Sequence, residues 1–274
     1  MTISLVSKFI LNQFSRTPSF GPLILMYHGT IPGNRKQNFL YAIDSARFCG
    51  QLDLLKQSGW HTACIRDLKN ANQLPPKTVI ITFDDGFANN YEGAFLPLTK
   101  RGMKATWFIV SNCVGSTSTW LDPADRNTNM LTAEQLCEMD AEGMEIGSHT
   151  ITHPDLTTLS EFAFEQEIRQ SKIELENIIQ APVWSFAFPY GRYHNKIIDC
   201  VKNSGYRFAC SVRPGFYSTR ASDFELPRIT IFAKDSPGIF ARKLAFASNA
   251  VSWNQIVLYY KNRLKSKFIF SNLS

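Results

Sequence analysis

Short apolar runs recur along the chain, and apolar residues at helical spacing occur between them. The clearest runs are Leu23–Tyr27, 78–83, 103–110 and 183–188, which contain many β-branched or aromatic residues. Continuous apolar runs of this length are typical of strands that are buried on both faces. Helical spacing is clearest over 160–179. Strand and helix therefore alternate, which favours an α/β fold with a parallel sheet.

About seven or eight strands are predicted in this way, and no repeat or linker-like boundary interrupts them before about residue 250. The length of 274 residues suits a single α/β barrel, which typically needs about 250 residues. We therefore predict one closed or nearly closed (β/α) barrel over residues 22–250. An N-terminal extension (1–21) and a C-terminal tail (251–274) flank it.

The positive charge is concentrated near the C-terminus. The net charge is +6, and from residue 234 onward seven basic residues accompany a single acid, Asp235, so the rest of the chain is formally neutral. A basic, aromatic tail on a neutral body suggests peripheral contact with anionic lipid or with a partner. A solvated last helix explains the pattern equally well. Nucleic acid is not expected as a partner, because the body carries no basic excess.

The cysteines and the N-terminal residues indicate in which cellular compartment the protein is expected. None of the six cysteines forms a C-x-x-C pair, and several lie in apolar runs, which favours reduced thiols in a reducing compartment. Residues 1–15 lack a basic n-region, a continuous apolar core and a small-residue cleavage site, so no signal peptide is predicted. No run of about 18 uninterrupted apolar residues occurs. We expect a cytoplasmic protein. Association with the membrane through the basic tail is compatible with this location.

Polar side chains follow several of the predicted strands. His28, Asp84, Asp85, His149 and Tyr190 each come just after an apolar run. An Asp-Gly pair after a strand is usually only a turn. In a parallel barrel, however, the carboxyl ends of the strands converge on one mouth, where active sites lie. Five such residues at that end favour a functional site.

The types of these residues predict metal-assisted hydrolysis. His149 and His153 are four apart, and on one helical turn that spacing would bring both imidazoles together. Two histidines and one carboxylate are a common catalytic set for a divalent metal. A second, neighbouring carboxylate can act as general base on a water. The N–H of Tyr190 is a candidate oxyanion donor, and His28 is a candidate acid for the leaving amine.

With these residues in view, the chain resembles the polysaccharide deacetylase family, the NodB-like carbohydrate esterases. Thr82-Phe83-Asp84-Asp85-Gly86 matches its T-F-D-D-G motif, and His149-Thr150-Ile151-Thr152-His153-Pro154 matches its H-[ST]-x-x-H-P motif. The resemblance covers residues 22–232 and implies a (β/α) barrel that is distorted or incomplete, with about seven strands. It also implies that Asp84 is the base and that Asp85, His149 and His153 hold one metal ion. Zinc is the favoured metal, and cobalt or nickel also suits this ligand set.

Two positions depart from the family's pattern. The Phe188-Pro189-Tyr190-Gly191 segment resembles the family's R-x-P-Y segment, but Ala187 stands where the arginine is expected. We take Arg228 as the candidate substitute. The family's late L-x-H motif is also absent, and Leu25-Met26-Tyr27-His28 resembles that strand moved to the front, as in the exopolysaccharide (poly-N-acetylglucosamine) deacetylases. His28 is therefore the predicted acid, with His194 as the alternative.

The resemblance implies removal of acetyl groups from an N-acetylated hexosamine glycan, on a polysaccharide or a lipid-linked precursor. Pro189, Arg228 and Trp120 are the candidate substrate-binding residues. A loop tryptophan such as Trp120 can stack on a sugar ring, although simple packing is the commoner role. Two rival functions remain open from the sequence: a non-catalytic sugar-binding module, and a related C–N hydrolase that acts on a small amide.

Overall fold

The computed structural model describes residues 21–31, 42–121 and 128–252. Nearly all of the predicted N-terminal extension and of the basic tail therefore lies outside the described residues. The six cysteines lie within them and are all free thiols. Among the described helices, none combines the length and the apolar character that crossing a membrane requires.

One parallel sheet organises the chain. Seven of its strands follow the order β10-β1-β5-β6-β7-β8-β9, and β4 pairs with the first half of β5. β2 and β3 form a separate two-stranded parallel sheet, and both come between β1 and β4 in the sequence. The strands are β1 (Leu23–Tyr27), β2 (Thr30–Ile31), β3 (Ile43–Asp44), β4 (His61–Ala63), β5 (Thr78–Phe83), β6 (Thr106–Ile109), β7 (Glu145–Ser148), β8 (Ser185–Ala187), β9 (Phe208–Cys210) and β10 (Ile229–Thr230).

The described residues form six α-helices, and the ends of these helices follow the expected capping rules. The sequence Thr132-Ala133-Glu134-Gln135 predicts a capping box, and Thr132 and Gln135 form it at the start of α3. Ser236 caps α6, whose first residue is Pro237. The helices are α1 (Ser45–Gln57), α2 (Leu96–Lys100), α3 (Ala133–Ala141), α4 (Glu161–Ile179), α5 (Asn195–Asn203) and α6 (Pro237–Phe246).

The sheet curls into an open half-barrel, so the prediction of a distorted or incomplete (β/α) barrel is confirmed. Alternate residues of the strands face opposite cores. Leu25 and Ile81 pack with the helices, whereas Ile24 and Ile80 pack with Phe108 inside the curl. This alternation explains why the strands read as continuous apolar runs.

The curl is left open between β9 and β10. The sequence predicts a strand over 226–232, but only Ile229–Thr230 is paired as one. The reason lies in the change of hydrogen-bond partner along this segment. Leu226 forms an isolated bridge with Cys210 of β9, whereas Ile229 pairs with Leu25 of β1.

The sequence predicts a helix over 89–101. In the structure this segment contains a π-helical turn, Tyr91–Phe95, which continues into α2. Gly93 lies against Thr30 so closely that a Cβ atom at this position would overlap its hydroxyl. π-helical turns of this kind are frequent near functional sites. Here the π-helical turn itself packs against β2, the strand that follows β1.

Candidate active site

A cavity of about 430 Å³ opens at the carboxyl ends of the strands. Seven of the residues predicted for the site line it, and apolar side chains, among them Met26 and Phe232, complete the wall. The seven are His28, Asp84, Asp85, Trp120, His149, His153 and Tyr190. The parallel strands therefore bring these residues together, as expected for this end of a barrel.

Asp85, His149 and His153 form a buried cluster whose candidate ligand atoms all lie within 4.8 Å of one another. The Nε2 atoms of His149 and His153 are 3.6 Å and 3.3 Å from Oδ1 of Asp85. Elsewhere in the part of the chain that the structure describes, no other group of three such residues meets this criterion.

The tautomer of His149 is set by its outer contact. Its Nδ1 lies 2.8 Å from the carbonyl oxygen of Ala187, which can only accept a hydrogen bond. Nδ1 therefore carries the proton, and Nε2 presents a lone pair toward Asp85. Burial and the neighbouring His153 lower the pKa of His149 to about 4, although Asp84 and Asp85 oppose the shift. A neutral imidazole with a free lone pair beside a carboxylate is the donor set that a divalent metal requires.

Asp85 reaches the histidines because its backbone turns sharply. Its φ is +75°, in the left-handed region, and Gly86 follows with φ +87°. Aspartate tolerates this region better than most residues. Burial on its own would raise the pKa of the Asp85 carboxyl, but the hydrogen bond and charge of His153, with His28 and His149, lower it to about 2. Asp85 is thus held as a carboxylate.

Asp84 faces a different partner. Its two carboxylate oxygens accept hydrogen bonds from Nη1 and Nη2 of Arg228 at 2.6 Å and 2.9 Å, and both side chains are almost completely buried. Arg228 also donates from Nε to the carbonyl oxygen of Ser211 and from Nη1 to Thr82. Burial raises the pKa of Asp84, but the Arg228 charge, aided by His149 and His28, lowers it on balance. Arg228 therefore lies behind Asp84 rather than in the wall of the cavity.

The turn from His149 to His153 is not helical, and the prediction of a helical turn is wrong. Thr150 and His153 both have left-handed φ angles, +71° and +62°. Hydrogen bonds to neighbouring backbone and side-chain groups hold this shape instead of an i to i+4 ladder. Ser111 N donates to the Thr150 carbonyl, and Thr150 Oγ1 accepts from His153 N. The rings of His149 and His153 nevertheless meet, with centroids 4.8 Å apart.

Tyr190 lies in a short 3₁₀ turn, Pro189–Gly191, that follows β8. Its φ is +57° and its side chain is about half exposed. Gly191, with φ +66°, packs so closely on Val212 that a Cβ atom there would overlap that side chain. Pro189 is buried in the turn and is not part of the cavity wall. The turn thus presents Tyr190 to the cavity, 4.7 Å from the ring of His153.

The remaining candidates lie at different distances from the cluster. His28 lines the cavity directly after β1, and its carbonyl oxygen accepts a 2.6 Å hydrogen bond from Asn90 Nδ2. Trp120 is half-buried and stacks on His153, with ring centroids 4.8 Å apart. His194, in contrast, precedes α5, contacts the ring of Phe164 and does not line the cavity.

Sequence reasoning missed the groups that hold these residues in place. The carbonyl of Ala187, the side chain of Asn90 and the carboxylate of Glu167 each contact a predicted site residue or its turn. Ala187 carries no side-chain signal. Asn90 and Glu167 are ordinary polar residues within helical segments, and only their tertiary contacts single them out.

Comparisons with known proteins agree with this architecture. Residues 71–209, just over half of the chain, match the sequence model of the polysaccharide deacetylase family. YxkH of Bacillus subtilis, named as a polysaccharide deacetylase, is 30% identical over 220 residues, 79% of this chain and 72% of that protein. The poly-β-1,6-N-acetyl-D-glucosamine N-deacetylase of Staphylococcus epidermidis is 26% identical over 206 residues, 70% of this chain and 68% of that protein.

Two solved structures are similar over most of the chain. The Streptococcus pyogenes deacetylase PplD, in complex with acetate, has a TM-score of 0.70 and 28% identity, covering 83% of this chain and 99% of its own. IcaB from Ammonifex degensii also has a TM-score of 0.70, at 26% identity, covering 83% and 98%. The chain therefore belongs to the polysaccharide deacetylase family, as its two motifs predict. It is accordingly an enzyme, a hydrolase that acts on carbon–nitrogen bonds.

Proposed function

We propose that this protein is a metal-dependent deacetylase of N-acetylhexosamine units in a polysaccharide or lipid-linked glycan. One observation carries the proposal: the buried Asp85, His149 and His153 cluster shares a cavity with Asp84, which is paired with Arg228. Two relatives with comparable coverage support the glycan class, since one is named a poly-β-1,6-N-acetyl-D-glucosamine N-deacetylase and another is IcaB.

Asp85, His149 and His153 are the residues that would hold one divalent ion. A bound ion lowers the pKa of its water and polarises the acetyl carbonyl. Zinc suits two imidazoles and one carboxylate best, and cobalt or nickel remains compatible with the same set. The contact of His149 with Ala187 would fix its ring in the required orientation.

Asp84 is the proposed general base. Its pairing with Arg228 keeps it ionised and fixes its orientation, while each carboxylate oxygen retains a lone pair that can accept a proton from water. Arg228 is thereby the proposed substitute for the arginine that Ala187 replaces. It acts through Asp84, because it does not line the cavity.

Tyr190 and His28 are proposed to stabilise the oxyanion and to protonate the leaving nitrogen, respectively. The Tyr190 N–H would donate to the oxygen that becomes negatively charged when water adds to the acetyl carbon. His28 would give a proton to the leaving nitrogen. His28 directly follows β1 and Asp84 directly follows β5, and these strands pair in parallel up to Tyr27 and Phe83. This register puts acid and base on neighbouring strand ends and favours His28 over His194.

Trp120 is proposed to contact the sugar as well as His153, since it lines the cavity with one ring face occupied by the imidazole. The predicted membrane contact falls on the tail beyond residue 252, outside the described residues, and stays a prediction.

Metal content and acetate release test the proposal together. The wild type should hold about one metal ion per chain and release acetate from poly-β-1,6-N-acetylglucosamine oligomers, whereas His149→Ala should hold little metal. Asp84→Asn should keep the metal and lose at least about 100-fold in turnover. Asp199→Asn, which changes an exposed carboxylate paired with Lys202, is the matched control.

Each alternative has its own outcome in the same experiment. A wild type that takes up no zinc, cobalt or nickel after reconstitution would contradict the hydrolytic mechanism and favour a sugar-binding module. Release of acetate from monomeric amides but not from oligomers would favour the small-amide hydrolase. If His194→Ala, rather than His28→Ala, abolished turnover, the assignment of the acid would be wrong.

A further inference from the structure

The turn between the two histidines depends on a carboxylate that belongs to neither motif. Glu167 lies in the first half of α4 and is half-buried. Its Oε2 accepts hydrogen bonds from the N–H groups of Ile151 and Thr152, at 2.8 Å and 3.0 Å. Its Oε1 accepts a third, 2.6 Å, from the hydroxyl of Thr152. Three hydrogen bonds from one carboxylate thus reach the middle of the turn.

We propose that Glu167 is a positioning residue for the candidate metal site. It holds the turn His149–His153 in the one conformation that brings both imidazoles to Asp85. The inference rests on the proposed function, because it concerns the same ligands. Glu167 itself does not line the cavity.

The turn needs such support because its backbone is unfavourable. Thr150 and His153 are both in the left-handed region, which costs about 1–2 kcal/mol for each residue other than glycine. Thr150 is also β-branched, which makes the region less accessible still. Without external contacts, residues 149–153 would relax toward extended or helical backbone. The two rings would then no longer be directed at the same carboxylate oxygen.

The hydrogen bonds of the turn show where that support comes from. His149 N donates to the Ile109 carbonyl, and His153 N donates to Thr150 Oγ1 within the turn itself. Thr150 N has only a long contact, 3.4 Å, to Ser148 Oγ. The two central amides, those of Ile151 and Thr152, both depend on Glu167. The carbonyls of Thr150 and Ile151 accept from Ser111 N and Asn112 N. Removing the Glu167 side chain would therefore free the two central amides and leave the centre of the turn held only through its carbonyls.

Glu167 can act as a fixed support because its helix is anchored on both sides of it. Phe164 and Ile168, its neighbours on α4, are buried in the main core. Ser171, one turn further along, shares a 2.8 Å hydrogen bond with Ser148 at the end of β7. The carboxylate is therefore carried by a rigid helix that contacts the same strand from which the turn departs.

Metal affinity is the property that this arrangement should control. Residues that orient metal ligands from outside typically change affinity by about 10–100-fold when they are removed. We expect Glu167→Ala to weaken zinc binding by that amount, measured by competition with a chromophoric chelator. Far-UV circular dichroism should show that the variant keeps its secondary structure.

Two further variants separate geometry from charge. Glu167→Gln removes the charge but keeps an oxygen for the two amides, and its NH₂ group can donate to the Thr152 hydroxyl. Its affinity should stay within about threefold of the wild type, well short of the loss expected on removing the contact. Glu167→Asp keeps the charge but withdraws the carboxylate by one bond, about 1.5 Å. It should lose about as much as Glu167→Ala, and it replaces that variant if alanine prevents folding.

The matched control is Glu165→Ala, which removes the same charge from the same helix, while the three contacts with the turn all go to Glu167. The visible spectrum of the Co²⁺-loaded proteins gives a second readout, since its shape reports ligand geometry. Equal zinc affinity in wild type, Glu167→Ala and Glu167→Asp would overturn the inference. So would a loss in Glu167→Gln as large as that in Glu167→Ala, because charge alone would then explain it. A wild type without metal affinity would instead contradict the proposed function itself.

Discussion

At the residue scale, two adjacent aspartates meet different partners because their backbones diverge. Asp84 directly follows β5 and donates its N–H to the carbonyl of Tyr27, and its side chain meets Arg228. Asp85 is in the left-handed region, and its side chain meets two histidines. Loss of one charge from the Asp84–Arg228 pair leaves its buried partner unpaired, which is costly.

Arg228→Ala should therefore impair both stability and turnover. Asp84 would remain buried without a counter-ion, and breaking a buried pair from one side costs about 3–5 kcal/mol. Chemical denaturation should show this loss. Acetate release should fall at least about tenfold, since the base loses its orientation, while the metal content stays near that of the wild type.

The double variant Asp84→Ala/Arg228→Ala is the control for this prediction. It removes both charges, so it should be more stable than the sum of the two single losses indicates. Simple additivity would contradict the pairing, and unchanged turnover in Arg228→Ala would exclude Arg228 as the substitute arginine.

At the scale of elements, the site is made from turns that follow strands, and each turn is fixed by a neighbouring element. The turn after β7 is held by α4 through Glu167. The segment after β1 is held by Asn90, which also accepts from Thr30 N. The turn after β8 is packed on Val212, which follows β9. Regular strands supply the positions, and irregular turns supply the directions of the side chains.

Gly191→Ala tests the last of these contacts. The substitution places a side chain on a left-handed residue and against Val212, so it should destabilise the protein by at least about 2 kcal/mol. The midpoint of urea unfolding measures the loss. Turnover should fall as well, since the Tyr190 N–H moves with the turn.

The variant Gly191→Ala/Val212→Ala relieves the overlap but not the backbone cost. Its stability should therefore lie between those of Gly191→Ala and Val212→Ala, each compared with the wild type. Full retention of stability in Gly191→Ala would mean that the turn relaxes freely, contrary to the packing described.

At the scale of the whole molecule, strand order brings distant parts of the sequence together. β1 lies between β10 and β5, so His28, Asp84 and Arg228 are each next in sequence to one of three adjacent strands. Arg228 is nevertheless 144 residues from Asp84 in sequence. The candidate metal ligands follow β5 and β7, with β6 between them. A bound ion would thus connect strand ends that are not direct neighbours.

Metal binding should therefore raise the thermal stability of the whole domain. At a free concentration of 100 times Kd, a ligand specific to the folded state contributes about 2.7 kcal/mol. For a domain of this size, that corresponds to a rise in Tm of about 5–10 °C. Differential scanning fluorimetry with and without zinc measures it.

His153→Ala should abolish this rise, because one ligand of the cluster is missing. A shift that persisted in His153→Ala would indicate that the ion binds elsewhere, for example at an exposed thiol such as Cys137. A reducing buffer and the Cys137→Ser variant distinguish these two sources of the shift.

The sequence by itself determined the alternation of strands and helices. Strands that are buried on both faces appear as continuous apolar runs, and amphipathic helices appear as apolar residues at helical spacing. It also identified the Asp-Asp-Gly and His-x-x-x-His segments, whose residue types carry their chemistry wherever they lie. Ends of elements with local signals, such as the Thr132 capping box, were predicted for the same reason.

Only the tertiary structure decided which groups meet. The pairing of Arg228 with Asp84 depends on contacts across 144 residues. The support of the left-handed turn at His149–His153 by Glu167 depends on contacts across 16 and 15 residues. The predicted helical turn failed because spacing gives periodicity but not φ angles. Long-range hydrogen bonds outweighed the local preference there, and no pattern along the chain records which neighbour will supply them.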